Sequence, residues 1–155
     1  MDELFLRRAI ELALTGSAQR EGGPFGAVVV QDGTIIGEGW NRVVACNDPS
    51  AHAEINAIRA ACARRGSFHL SGCVLYASSE PCPMCLSAAY WARIARIVFA
   101  NTRAEAAAIG FCDDELYGEL RLPHAQRSVP TTHLPLAGAD EPLIQWRNRP
   151  ARVVY

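Results

Sequence analysis

The chain has 155 residues, of which 50% are hydrophobic, and a formal net charge of -1. This length and apolar fraction suit one compact domain with a substantial core, so we expect a single domain over residues 1–155. No cluster of basic residues is present, which argues against a protein that holds a long phosphate backbone but leaves open a small ligand without phosphate. No apolar run could cross a bilayer and no secretory signal is visible, so we expect a cytoplasmic location.

Helices and strands alternate in the predicted secondary structure. Apolar residues at helical spacing predict an amphipathic first helix, and Asp32-Gly33 between two apolar runs predicts a hairpin. Ser50 is expected to be the N-cap of the second helix. In chain order we predict a helix over 3–18, strands over 27–30 and 35–38, a helix over 51–64, a strand over 73–78, a helix over 84–95, a strand over 96–100, a helix over 102–108, a strand over 129–134 and a helix over 142–149.

This alternation predicts an α/β fold. A central sheet with helices on both faces has three layers, α-β-α, and each face of the sheet then buries its apolar side chains against helices. The hairpin makes its two strands antiparallel, so the five predicted strands should form a mixed sheet.

Two short segments hold the residue types of a metal site. His52-Ala-Glu54 and Pro81-Cys82-Pro-Met-Cys85 both stand at the start of a predicted helix. Exposed amides at a helix start carry partial positive charge, which lowers the pKa of the two thiols and suits metal binding. One imidazole and two thiolates are ligands that zinc prefers, and they leave the fourth tetrahedral position to water. Glu54 would stand close enough to move the proton of that water.

Other interpretations of these segments remain open. A lone Cys-x-x-Cys is also typical of dithiol redox proteins, and six cysteines admit disulfides, although disulfide-rich chains are usually shorter and secreted. A non-catalytic zinc domain would need a fourth protein ligand, and no other Cys or His stands at zinc-knuckle spacing. His-x-Glu followed by Pro-Cys-x-x-Cys, with 30 residues from His52 to Cys82, is the signature of zinc nucleobase deaminases. We therefore prefer a deaminase.

With these motifs the sequence resembles the cytidine deaminase superfamily, and within it the short bacterial guanine deaminases. The zinc motifs mark the superfamily, whereas Tyr-Trp-Ala-Arg, Gly-Phe-x-Asp-Asp and the terminal Tyr point to guanine. The resemblance implies a cytidine deaminase-like fold, one zinc ion per subunit, and hydrolysis of guanine to xanthine and ammonia. The similar segments are Gly22-Gly-Pro-Phe-Gly-Ala27, Asn47-Asp-Pro, Ala51-His-Ala-Glu54, Ser79-Glu-Pro-Cys-Pro-Met-Cys85, Tyr90-Trp-Ala-Arg93, Gly110-Phe111, Asp113-Asp114, Trp146-Arg-Asn148 and Tyr155.

The resemblance also implies roles for residues that would contact the base. Asn41 matches a side-chain amide that contacts the purine, and Phe25 matches a ring that packs against it. Asp113 matches an acidic residue that helps to move protons, and Asp114 is the counterpart if the alignment is shifted by one. Cys112 stands where the family usually has an acidic residue. From the residues alone, Asn41 could instead stabilise a turn, Phe25 could be ordinary core, and both aspartates could be solvated.

The resemblance further implies a homodimer in which the C-terminal segment, about 140–155, swaps between subunits. Tyr155 then matches a residue that helps to close the partner's site, and the alternative is a tail that docks on its own subunit. Trp91, on an almost entirely apolar helix, is expected to pack in the core or at a subunit interface, with an outer place near the substrate as the second choice.

The sequence constrains the identity of the substrate less than it constrains the type of reaction. Cytosine, an amino-triazine or adenosine in tRNA could be deaminated in the same way, and a small-molecule purine is the expected partner. The near-neutral charge argues against a nucleic acid partner, because RNA binding needs basic surface.

Overall fold

The structure is a computed structural model that describes all residues, 1–155, and it contains seven α-helices, four strands and one 3₁₀ helix. The chain divides into two compact units, Met1–Asp114 and Glu115–Tyr155. The elements are α1 (Asp2–Ala18), β1 (Gly26–Gln31), β2 (Thr34–Trp40), α2 (Val43–Cys46), α3 (Ala53–Arg65), β3 (Val74–Ser79), α4 (Pro83–Trp91), β4 (Arg96–Asn101), α5 (Arg103–Ala108), α6 (Asp114–Glu119), the 3₁₀ helix (His124–Gln126) and α7 (Glu141–Asn148).

The first unit contains the predicted mixed sheet. The strand order is β2-β1-β3-β4, with β1 antiparallel to both of its neighbours and β3 parallel to β4. Alternate residues of β1 face opposite layers: Ala27 and Val29 join a core with α3 and α4, whereas Val28 and Val30 join a core with α1. The α/β class and the mixed sheet are therefore confirmed, with helices on both faces.

The hairpin between β1 and β2 turns where the sequence predicts it. Asp32 and Gly33 both adopt positive φ, 48° and 75°, between the paired residues Gln31 and Thr34. Two consecutive positive φ angles are the conformation that a two-residue type I′ turn requires, which explains why the Asp-Gly pair stands here.

The prediction of a fifth strand over 129–134 is wrong. The sheet has four strands, and this segment forms neither helix nor strand. Its apolar residues are interrupted by Thr131, Thr132 and His133, and Pro130 has no N–H to give to a strand ladder.

None of the helices has the length and apolar character that a membrane crossing requires.

Two helix ends also differ from the prediction. His52, not Ser50, is the N-cap of α3, because the Ser50 backbone N–H and hydroxyl both donate to Asp48 Oδ1, at 2.8 and 2.7 Å. Helix α4 ends at Trp91 instead of residue 95. Arg93 has a positive φ of 58°, which a right-handed helix cannot continue through. The other predicted elements that are present have ends within two residues of the expected ones, and α2, α6 and the 3₁₀ helix were not predicted.

Glycines on β2 allow α3 to lie directly on the strand. A Cβ added at Gly37 would lie 2.3 Å from the Ala57 carbonyl oxygen, and one at Gly39 would lie 2.4 Å from that of Ala53. Since real Cβ atoms do not make such contacts, the helix backbone would have to move away from the sheet to admit any side chain. The start of α3, which carries the His-x-Glu motif, is therefore placed by backbone contact.

Replacing Gly39 by Ala should lower the free energy of unfolding by about 1–3 kcal/mol, because α3 is forced away from β2. Gly118→Ala is the matched control, since a Cβ at helical Gly118 meets nothing within 4 Å. The control should leave stability unchanged or raise it by up to about 1 kcal/mol through helix propensity. Urea unfolding at one protein concentration measures both variants, and equal stability of the two would contradict the close packing.

Candidate metal centre

The strand registers gather the predicted site residues at one edge of the sheet. β1 begins at this edge, whereas β2, β3 and β4 end there. Phe25 directly precedes β1, Asn41 directly follows β2, and the segment that contains Cys82 follows β3. Segments that are distant in sequence therefore meet at this edge of the sheet.

His52, Cys82 and Cys85 converge at the N-termini of two helices. His52 is the N-cap of α3, Cys82 is the N-cap of α4, and Cys85 lies in the first turn of α4. The Nδ1 atom of His52 lies 3.5 Å from the Sγ atom of Cys82 and 3.6 Å from that of Cys85. All three ligand atoms lie within 4.8 Å of one another. The three expected metal ligands are thus brought together.

These distances fit a tetrahedral zinc ion. Zn–S and Zn–N bonds of about 2.3 and 2.05 Å at a tetrahedral angle separate the nitrogen from each sulfur by about 3.6 Å. The group contains no fourth His, Cys, Asp or Glu. Three protein ligands and one open position are the arrangement of a catalytic zinc site, whereas a structural zinc site is closed by a fourth protein ligand.

The thiol pKa values also favour a cation here. Hydrogen bonding with Cys85, together with that from His52, lowers the pKa of Cys82 to about 4. The hydrogen bond with Cys82, together with burial, raises the pKa of Cys85, and hydrogen bonding with Cys82 raises the pKa of His52. Two adjacent thiols retain a proton between them unless a cation compensates the second negative charge. Zinc supplies that compensation, so the donor set suits it. None of the six cysteines is in a disulfide.

Glu54 lies in the first turn of α3 and is buried, with 7% of its surface exposed. Burial raises the pKa of its carboxyl group to about 7. The carboxyl group also interacts with the Cys85 thiol but does not belong to the ligand group. A buried carboxyl beside the metal ligands, and not among them, is suited to accepting and returning a proton.

The Asn41 side chain is oriented by the backbone. Its Oδ1 atom accepts from the N–H groups of Gly23 and Val43, both at 3.2 Å, and the residue is 5% exposed. The Nδ2 atom makes no hydrogen bond within the chain. The oxygen therefore stabilises the turn, one of the two predicted roles, and leaves the amide nitrogen as a donor for a ligand.

Phe25 packs partly against the core and partly against a second aromatic ring. It contacts the α3 and α4 core, and its ring meets that of Phe111 edge-on, with 4.9 Å between the centroids. Phe111 is 45% exposed. Phe111 was not among the predicted substrate contacts, although an aromatic residue two positions before an acidic pair was a signal for a place beside the site.

The structure distinguishes the two aspartates. Asp113 is half-buried, its Oδ1 atom is buried without a hydrogen-bond partner, and burial raises the pKa of its carboxyl group, with the Cys82 charge adding to the effect. Asp114 begins α6, and its exposed carboxylate pairs with the Nε atom of Arg103 at 3.2 Å. Asp113 is the aspartate that faces inward, and Cys112 between it and Phe111 is exposed.

The structure does not bring Trp91 to the metal ligands. It ends α4, six residues beyond Cys85 and therefore about 9 Å further along the helix axis. Its side chain is 66% exposed, as is that of Tyr155 at the end of the second unit.

Single replacement of His52 or Cys85 by Ala should remove most zinc from the purified protein, because two ligands bind the ion far more weakly than three. Wild type should hold one zinc ion per chain, measured by plasma mass spectrometry after dialysis. Cys46→Ser is the control, since this exposed thiol lies outside the ligand group, and it should keep full zinc. Equal zinc content in all four proteins would exclude this site.

Comparison with known proteins places the geometry in a family. The family model for the cytidine and deoxycytidylate deaminase zinc-binding region matches residues 1–101. Guanine deaminase of Bacillus subtilis is 48% identical over 94% of this chain and 94% of its own length. The X-ray structure of guanine deaminase from Bacillus subtilis matches with a TM-score of 0.96, at 46% identity, over 99% of this chain and 98% of that one.

Two further relatives match a smaller part of the chain. The tRNA-specific adenosine deaminase of Haemophilus influenzae is 43% identical over 73% of this chain and 68% of its own length. A solved structure in complex with 2,6-diaminopurine matches with a TM-score of 0.70, at 36% identity, over 73% of this chain and 63% of that one. The family model, these relatives and the three-ligand cluster agree, and the chain therefore belongs to the zinc-dependent cytidine and deoxycytidylate deaminase family.

Proposed function

We propose that the protein hydrolyses guanine to xanthine and ammonia. The observation that carries this proposal is the extent of similarity to the Bacillus subtilis guanine deaminase, which covers 94% of the chain and so includes most of the second unit. The family model ends at residue 101, before Asp113 and Tyr155. Residues beyond the shared zinc region are where a deaminase would distinguish one base from another.

The side chains divide the chemistry among them. A zinc ion held by His52, Cys82 and Cys85 would act as a Lewis acid and would lower the pKa of a coordinated water to about 7. Glu54 accepts a proton from the attacking water and delivers it to a ring nitrogen of the base. Glu54 then takes the remaining proton from the hydroxyl group added at C2 and passes it to the amine, so the C–N bond breaks, ammonia departs and the C2 carbonyl of xanthine forms. Asp113, whose Oδ1 atom is buried without a hydrogen-bond partner, assists this last transfer.

The base is held by a donor and by aromatic rings. The Nδ2 atom of Asn41 donates to an acceptor on the purine edge, because its oxygen already accepts from two backbone amides. Phe25 and Phe111 form an aromatic corner on which a flat base can pack.

Adenosine in tRNA is the second candidate substrate. The 43% identity to a tRNA-specific adenosine deaminase supports it, but that similarity covers 73% of the chain. RNA binding is driven by contacts from basic side chains to phosphates, and the net charge of this chain is -1. Guanine is therefore preferred.

We further propose a homodimer in which residues 140–155 exchange between subunits and Tyr155 closes the partner's site. Every residue from 128 to 155 is exposed, although the segment contains many large apolar side chains. A segment that buries so little cannot offset the entropy of ordering, so it needs a surface to cover. On the first unit Tyr90 and Trp91 are 76% and 66% exposed, which suits an interface role for both.

A cytoplasmic location completes the proposal. Thiolate ligands and further free cysteines persist most readily in a reducing compartment, where disulfides are rare.

Replacing Glu54 by Gln should leave one zinc ion per chain and lower turnover of guanine by about 10²–10⁴-fold, because the proton acceptor is lost. Ammonia release is measured with guanine, guanosine, adenine, cytosine and a tRNA anticodon stem. Glu38→Gln is the control, since this carboxylate pairs with Arg8 away from the site and should keep activity. Release from the tRNA stem and none from guanine would overturn the proposed substrate, and an active E54Q variant would reject the role of Glu54.

A mixing experiment tests the exchanged tail. E54Q and Tyr155→Ala chains are each expected to have low activity, but in a mixed dimer the intact tail of the E54Q chain completes the site of the Y155A chain. Random mixing of equal amounts by co-expression should restore about a quarter of the wild-type sites. If Tyr155 serves its own subunit, the mixture will show no activity beyond the sum of the two parents.

A further inference from the structure

One oxygen of Glu21 holds the residues on both sides of Asn41. The Oε2 atom accepts from the Trp40 indole N–H at 2.6 Å and from the Arg42 Nε at 2.8 Å. The Arg42 guanidinium also lies over the Trp40 ring, 5.7 Å from the centroid. The hydrogen bond from the Trp40 indole, and to a smaller extent that from Arg42, lowers the pKa of Glu21. The Glu21 carboxyl group is therefore charged at neutral pH. The carboxylate therefore joins residues 40 and 42 on the two sides of Asn41.

The backbone of the same segment holds the turn that contains Asn41. The Glu21 carbonyl oxygen accepts from the N–H groups of Val44 and Ala45 at 3.1 and 3.0 Å. Gly23 donates to Asn41 Oδ1, as described above. A Cβ added at Gly22 would lie 2.0 Å from that same Oδ1 atom. The segment 21–23 thus touches the Asn41 turn through a carboxylate, a carbonyl and an amide, and the missing Cβ leaves room for the side-chain oxygen.

The turn is tied on its other side to the start of α3. Arg42 donates its backbone N–H to the Ala51 carbonyl at 2.9 Å, and Ala51 precedes the ligand His52. The Asn56 amide on α3 donates to the carbonyls of Trp40 and Ala51, at 2.9 and 3.3 Å. Asn41 is therefore held between α3, which carries the metal ligand, and the segment 21–23.

We propose that Glu21 is a positioning residue that acts through Asn41, by fixing the direction in which the Asn41 amide N–H₂ group meets the base. This inference rests on the proposed function and adds to it the element that aligns the substrate. Because both side-chain hydrogen bonds end on one oxygen of Glu21, loss of this carboxylate releases Trp40 and Arg42 together. Its effect should therefore appear in substrate recognition and depend on Asn41.

The test is a double-mutant cycle on kcat/KM for guanine with wild type, Glu21→Ala, Asn41→Ala and the double variant. E21A should raise KM by about three- to tenfold with kcat within about twofold, because a hydrogen bond to substrate is weakened. In the N41A background the same change should have less than about a twofold effect, because residues acting through one contact are not additive. Gly22→Ala should behave like N41A.

Two matched variants separate positioning from folding. Glu38→Ala removes another carboxylate that pairs with an arginine, at 2.8 Å, and should lower stability by a similar amount without raising KM. Glu21→Gln keeps an oxygen that accepts both bonds and should restore most of the wild-type KM. Zinc content and melting temperature are measured for every variant, so that a loss through unfolding is recognised.

The outcomes distinguish this inference from the proposed function. If guanine is deaminated and the effects of E21A and N41A multiply, or if E38A raises KM as much as E21A, the positioning role is overturned. If wild type releases no ammonia from guanine, the proposed function fails. The inference then survives only if the same non-additivity holds for the base that is deaminated.

Discussion

The site depends on two helix N-termini meeting at one edge of the sheet. α3 and α4 begin with His52 and Cys82 as their N-caps, so the amides of both helices add positive potential where thiolate charge must be held. The third ligand, Cys85, follows in the first turn of α4. A cation then joins two helices that pack on the same face of the sheet. Metal binding and the stability of this layer are physically coupled.

Local chemistry explains what could be predicted from the sequence. The Asp-Gly turn, the helix starts and the His-x-Glu and Cys-x-x-Cys motifs act over a few residues, so residue type and spacing were sufficient for them. The sheet class also followed, because alternating elements admit few arrangements. The metal ligands were found by motif, and the structure adds the separation of nitrogen and sulfur that zinc requires.

What could not be predicted depends on distant contacts. The segment Val129–Leu134 contains β-branched residues, but a strand also needs a partner edge, which a local pattern does not reveal. That Asn41 commits its oxygen to Gly23, 18 residues earlier, is equally invisible in sequence. The aspartates at 113 and 114 are adjacent, and only the start of α6 turns one inward and the other toward Arg103.

The glycines of β2 have an evolutionary consequence. Since α3 rests on bare backbone at Gly37 and Gly39, the height of His52 above β2 does not depend on the size of any side chain between them. The contact between α3 and β2 is thereby independent of changes in side-chain size elsewhere in the core. The residues after β4, which include Phe111 and Asp113, and the second unit lie beyond the region that the family model matches. Such a division lets one lineage change the molecule it acts on while its chemistry stays constant.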